Sequence, residues 1–145
     1  MVNNYTFAKA LPSELYITRL KKHSDIFNTL TKFVLDHNIK GGFINGIGGL
    51  SKTVLGFFNI NTKKYDLFEV GQAELVSCTG NIATLDNKSM LHLHALVSLP
   101  DGKTLGGHVM EGCIVNPTAE FTIITIDKTL ERKKDDETGL NLLHF

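Results

Sequence analysis

Leu91-His92-Leu93-His94-Ala95-Leu96-Val97-Ser98-Leu99-Pro100-Asp101-Gly102-Lys103-Thr104-Leu105-Gly106-Gly107-His108 is the stretch whose reading decides the fold. Strand side chains alternate between faces, so His92 and His94 share a side while Leu91 and Leu93 take the other. Pro100-Asp101-Gly102 suits a three-residue hairpin loop: proline pre-sets the first turn angle, aspartate tolerates the second, and glycine accepts the left-handed position. Leu99 then faces Lys103, and counting outward puts His94 directly opposite His108. Residues opposite each other project to the same face with Cβ atoms about 4.5–5.5 Å apart, so three imidazoles converge. The reading depends on Gly106-Gly107, because glycine inside a strand often marks a bulge, and a one-residue shift would turn His108 away.

Three neutral imidazoles with an open coordination position suit a divalent metal, Zn²⁺ first, with nickel, cobalt or iron as alternatives. The same three side chains could instead share hydrogen bonds on a half-solvated sheet face. Glu111 and Cys113 lie near enough in sequence to be extra ligands, although structural roles fit them as well. Glu74, in Gln72-Ala73-Glu74-Leu75-Val76-Ser77, could act as a general base or orient a metal-bound ligand; it could equally pair with Arg132 or Arg19. Glu120 could accept a hydrogen bond from a histidine ring or join a buried ion pair. His23, His37 and His144 stand alone in polar contexts and read as surface residues.

Around this hairpin the chain reads as one α+β domain over residues 1–145, with a flexible N-terminus of about six residues. Leu15–Leu20 alternates as a first strand. Ser24 or Asp25 can cap a helix whose apolar positions Ile26, Phe27, Leu30, Phe33 and Val34 follow one-sided helical spacing, closed near Asn38–Gly41 by a glycine. Gly42–Leu50 carries four glycines in nine residues, as where another backbone passes close by, and packing between subunits is the expected cause. Val54–Asn59, Tyr65–Val70, Ala73–Thr79 and Leu91–Leu99 read as strands, with Gly80–Ser89 as a polar separator. The β-branched run Ala119–Asp127 reads as a buried strand. Glu131–Glu137 reads as a solvated turn ahead of an apolar terminal cluster that docks on the protein or a neighbour. About seven strands with hairpin signals predict a largely antiparallel sheet with flanking helices.

Composition limits the function classes. The 145 residues are 42 % hydrophobic and 21 % charged, ordinary values for a chain that buries its own core. Fifteen basic and fifteen acidic residues cancel, so no global field draws the protein to nucleic acid or an anionic membrane. Only two cysteines occur, Cys78 and Cys113, and both read as reduced. The N-terminus lacks a signal-peptide pattern and no apolar run reaches the ~18 residues of a membrane span, so a cytoplasmic location with no membrane partner is expected.

Gly46-Ile47-Gly48-Gly49-Leu50, Gly56, Tyr65, Glu74–Ile82, His92-Leu93-His94-Ala95, Asp101-Gly102, Gly106-Gly107-His108, Glu120, Arg132 and Thr138-Gly139-Leu140, in this order and spacing, resemble the plants and prokaryotes conserved domain, called PCC or PPC. The resemblance implies a largely antiparallel α+β subunit assembled as a homotrimer. It also implies a DNA-binding or regulatory role, a label drawn largely from plant members with AT-hook motifs beside the domain; this chain has no Arg-Gly-Arg-Pro-like hook. The fold looks related to acetolactate decarboxylase, whose zinc is held by three histidines, which carries over to His92, His94 and His108. A metal-dependent lyase or hydrolase acting on a small carbonyl or ester substrate, with Glu74 as its base, is the alternative expectation.

Overall fold

A computed structural model describes residues 5–145. The elements in chain order are β1 (Pro12–Leu20), α1 (Ile26–Asp36), β2 (Gly42–Asn59), β3 (Lys64–Val70), β4 (Ala73–Leu85), β5 (Lys88–Ser98), β6 (Thr104–Val109), β7 (Ile114–Ile126), β8 (Glu131–Lys134) and β9 (Asn141–His144). All nine strands join one sheet, ordered β1-β7-β2-β6-β5-β4-β8-β9, with β3 on β2. Pairing is antiparallel except for the single β4–β8 bridge, Thr84 with Glu131. Among the described residues there is one α-helix rather than several flanking ones, and no helix is long and apolar enough to cross a membrane. The expected flexible N-terminus lies partly outside the described residues, and 5–11 form no regular element.

β2 organises the sheet because it is long enough to serve two sets of partners. Its first half pairs with β7 on one edge and β4 on the other; its second half pairs with β3 and, at Leu55 and Gly56, with β6. Since β4 pairs with β5 and β5 with β6, the strands β2, β6, β5 and β4 close a ring. Register shifts around Gly48 and Leu50 bend β2 between the two halves, as bulges do. The glycines here do answer a close backbone approach, but within one chain: a Cβ at Gly48 would sit 2.5 Å from Ala119 Cα on β7. Packing between subunits is not needed to explain them.

The inner sheet face and α1 form the core. Asp25 caps α1 by accepting from the Asn28 amide at 2.9 Å, an interaction worth about 1 kcal/mol. Ile26, Leu30 and Val34 go under the sheet with Ile44, Leu93, Phe121 and Ile123. Each such side chain gains about 1.5–3 kcal/mol by leaving water. At the C-terminal end of the helix, Asn38 takes the left-handed position (φ 50°) that the sequence reading gave to a glycine. Cys78 and Cys113 are buried and unpaired.

Three other expectations are corrected. The polar stretch Gly80–Ser89 is no separator: β4 runs on to Leu85, and Asp86 and Asn87, both at positive φ, turn directly into β5. Ile82 and Ala83 supply the burial that keeps this part of β4 in the sheet. The run Ala119–Asp127 is buried on one face only, with Phe121 and Ile123 inward while Glu120 and Ile124 face out. The charged run from Glu131 opens with a strand, not a solvated turn, and sends Arg132 inward, 7 % exposed.

Candidate metal centre

The hairpin forms as its loop chemistry dictates. The Leu99 amide donates to the Lys103 carbonyl at 2.8 Å, Gly102 sits at φ 81°, and the ladder runs without a shift to His94 opposite His108. Gly106 and Gly107 make no bulge. A Cβ at Gly107 would stand 2.9 Å from the Gly56 carbonyl oxygen, so the glycine lets β2 close the ring. On the other side of β5, His92 pairs with Asn81 and His94 with Thr79, which puts all three histidines on the outer face of the sheet.

His92, His94 and His108 each place one ring nitrogen within 4.8 Å of the others. His92 Nε2 and His94 Nε2 are 3.2 Å apart. Nitrogens about 2.0–2.1 Å from a tetrahedral zinc stand about 3.3 Å from each other, so this pair is already at ligand spacing. Ring centroids 5.1, 5.3 and 5.4 Å apart agree with three imidazoles turned toward one point. His108 Nδ1 is buried without a hydrogen-bond partner. The donor set therefore fits a divalent ion.

Burial is the first cause holding two of these rings neutral, the state a ligand needs. It pushes His108 down to about 4, helped by His92, His94 and Arg132, and lowers His92, helped by Arg132 and His94.

The walls come from elements the sequence reading gave no role here. Tyr65 on β3 lies against His108, ring centroids 4.8 Å apart, in the space left by Gly56, where a Cβ would come 2.9 Å from the tyrosine ring. Burial raises the Tyr65 phenol, keeping it protonated. Arg132 donates from Nη1 to the Asn141 carbonyl at 2.7 Å and from Nη2 to Asn81 Oδ1 at 2.6 Å, and Nη2 lies 3.4 Å from His92 Nδ1. The arginine thereby fastens the β8–β9 hairpin beside the histidines, and Leu140 from that hairpin lines the cavity they share. An open cavity of about 690 Å³ lies against the three rings, walled by Phe57, Phe58, Tyr65, Leu96 and Leu140. No local signal in the sequence marks Arg132 as buried, because it sits in the unbroken charged run Glu131–Glu137.

Other candidates lie elsewhere. Glu74 is exposed and pairs with Ser98, four residues or about 13 Å along β5 from His94. It lines a separate cleft with Ile47 and Pro117. Glu120 is exposed opposite Arg19 and joins neither the histidines nor a buried ion pair. Cys113 Sγ exchanges hydrogen bonds with the backbone of Val54, and Glu111 is exposed; neither belongs to the histidine cluster.

Residues 8–127 match the Plants and Prokaryotes Conserved (PCC) domain. The chain belongs to the PCC domain family. Among solved structures it is similar to a Bacteroides thetaiotaomicron protein described as a candidate DNA-binding protein, at 32 % identity and TM-score 0.87, covering 94 % of this chain and 97 % of that one. It is similar also to a plant- and prokaryote-conserved (PPC) protein of Pyrococcus horikoshii, at 26 % identity and TM-score 0.89, covering 97 % and 98 %. The acetolactate decarboxylase of Bacillus subtilis shares the fold, at 14 % identity and TM-score 0.56 over 78 % of this chain and 52 % of that enzyme. A curated relative, the bifunctional protein GlmU of a Synechococcus strain, is 29 % identical over 90 % of this chain. The PCC chain spans only 20 % of that protein's length.

Protonation should undo the fold in a definite direction. An unfolded histidine takes a proton near pH 6.5, whereas folded His108 resists until about 4. The unfolded state therefore binds more protons in that window, and the metal-free protein should lose stability as pH falls from 6.5 toward 4. Thermal melts in chelator across this range should show a falling Tm, with a shallower slope in His108→Gln; parallel curves for the two proteins would contradict the assignment.

Proposed function

We propose that this PCC protein binds one divalent metal ion, zinc by preference, through His92, His94 and His108, and that the bound ion faces the cavity as a site for a small ligand. The 3.2 Å spacing of His92 Nε2 and His94 Nε2 carries this reading. When bound, such an ion would polarise an oxygen of the ligand or supply hydroxide. The chain's own residues do the rest. Tyr65 and Leu140 shield the ion's surroundings, the protonated Tyr65 phenol can donate a hydrogen bond, and Arg132 holds the wall in place. Metal analysis of protein purified without a histidine tag should give about one zinc per chain, and His94→Ala should lose most of it. Equal metal in both, or none in either, would defeat the proposal.

The working form is proposed to be a homotrimer joined through the outer face of the sheet. Leu15, Ile124 and Phe43 are register neighbours on that face, and Ile17 follows on β1; Ile17 is 80 % and Phe43 54 % exposed. The same face carries the histidines, since Phe43 pairs with Asn81 and Asn81 with His92. Light scattering should report three chains for the native protein and a smaller species for Ile17→Glu; a monomer in both would oppose this. An acid–base role for Glu74 requires delivery from a neighbouring copy, because within one chain it opens on a different cleft.

The DNA-binding reading is favoured by the descriptions of solved relatives, the Bacteroides protein among them. It requires binding to duplex DNA that weakens steeply with salt, about one unit of log–log slope per phosphate contact. With a net charge of zero, no binding at low salt is the expected outcome in a gel-shift titration.

A further inference from the structure

Arg132 is a cation in the wrong company. It is 7 % exposed, yet none of the ion pairs among the described residues includes it, and its partners Asn81, Asn141 and His92 are all neutral. Its Nε is buried with no partner. Buried charges are ordinarily paired, because an uncompensated one gives up several kcal/mol of hydration. Neither the large cavity nor the adjoining one of about 220 Å³, which Arg132 lines with Tyr65, His92, His108 and Leu140, has an aspartate or glutamate in its wall. A divalent ion on three neutral histidines would bring the local charge to about +3 with nothing opposite in sign nearby.

Hydrogen-bond chemistry points the same way. Arginine only donates, so in the metal-free chain His92 Nδ1 can accept from it. With Nε2 given to an ion, Nδ1 carries the proton, and it then faces an Arg132 N–H donor to donor; the guanidinium keeps Asn81 and Asn141, but neither of these two facing N–H groups has an acceptor. An anionic oxygen would satisfy both and offset part of the charge. The cavity walls beyond this polar corner are mainly apolar, with Phe57, Phe58, Leu96 and Leu140 set against the hydroxyls of Ser77 and Thr79.

We propose that the ligand of this centre is a small organic carboxylate, its charged end drawn to Arg132 and its remainder apolar. The inference rests on the metal reading, and its test separates the two. Zinc-loaded protein is titrated calorimetrically with 2-oxobutanoate, with butanone as its neutral counterpart, and with inorganic phosphate, while zinc content is measured on the same samples. The carboxylate should bind at least about tenfold more tightly than butanone or phosphate, and Arg132→Gln should remove that preference with zinc content unchanged. The comparison within the native protein stands even if the variant fails to fold. Full zinc content with the ketone or phosphate binding as well as the carboxylate, or with none binding, overturns the carboxylate proposal alone. Absence of zinc overturns the metal centre, and with it the ligand.

Discussion

The hydrogen bond from the Leu99 amide to the Lys103 carbonyl sets the register on which the rest of the outer face depends. Side chains in a strand alternate with a period of two, so a slip of one residue would send His108 to the core side and Gly107 to the outer one. The loop Pro100-Asp101-Gly102 makes that slip costly, and β2 makes it costlier. Gly56 on β2 pairs with His108, so the same registration that aligns the histidines also closes the ring of β2, β6, β5 and β4.

Alternation also divides labour between the two faces. The inner residues of β4, β5 and β7, such as Ile82, Leu93 and Phe121, carry the stability of the domain with α1 beneath them. The outer residues of the same strands, His92, His94 and their neighbours, are left free for chemistry and association. Polar groups collect where the sheet meets the β8–β9 hairpin, and neither cavity there has an acid in its wall. A centre built from neutral rings and a single guanidinium carries a positive charge that no acid in either cavity wall offsets.

Much of this could be read from residues alone, where the governing physics is local. The turn at Pro100–Gly102, the period-two spacing of His92 and His94, and the 3.6-residue spacing of Ile26, Leu30 and Val34 are each set within a few residues. The errors arose where a distant partner decides. Asn81-Ile82-Ala83-Thr84 looks polar, yet it is a strand because β5 lies beside it. Arg132 sits in a run of charges and looks solvated, but Asn81, some fifty residues earlier in the chain, draws it inward. Tyr65 became part of the centre only once β3 folded over Gly56. The glycine run in β2 correctly signalled close approach, but which chain approaches is a three-dimensional fact.

A Cβ at Gly80 would collide with the carbonyl oxygen of His92, in the strand that carries two of the three histidines. Gly56 likewise has no room for a methyl beneath Tyr65. The instructions for building the centre thus include two positions whose contribution is to offer nothing. A saturation map of this chain scored for metal content would mark them alongside the imidazoles themselves, and ligand chemistry would not explain why. Such positions constrain how the centre can be transplanted: moving the three histidines onto another hairpin would copy the donors and leave behind the vacancies that let their backbones meet.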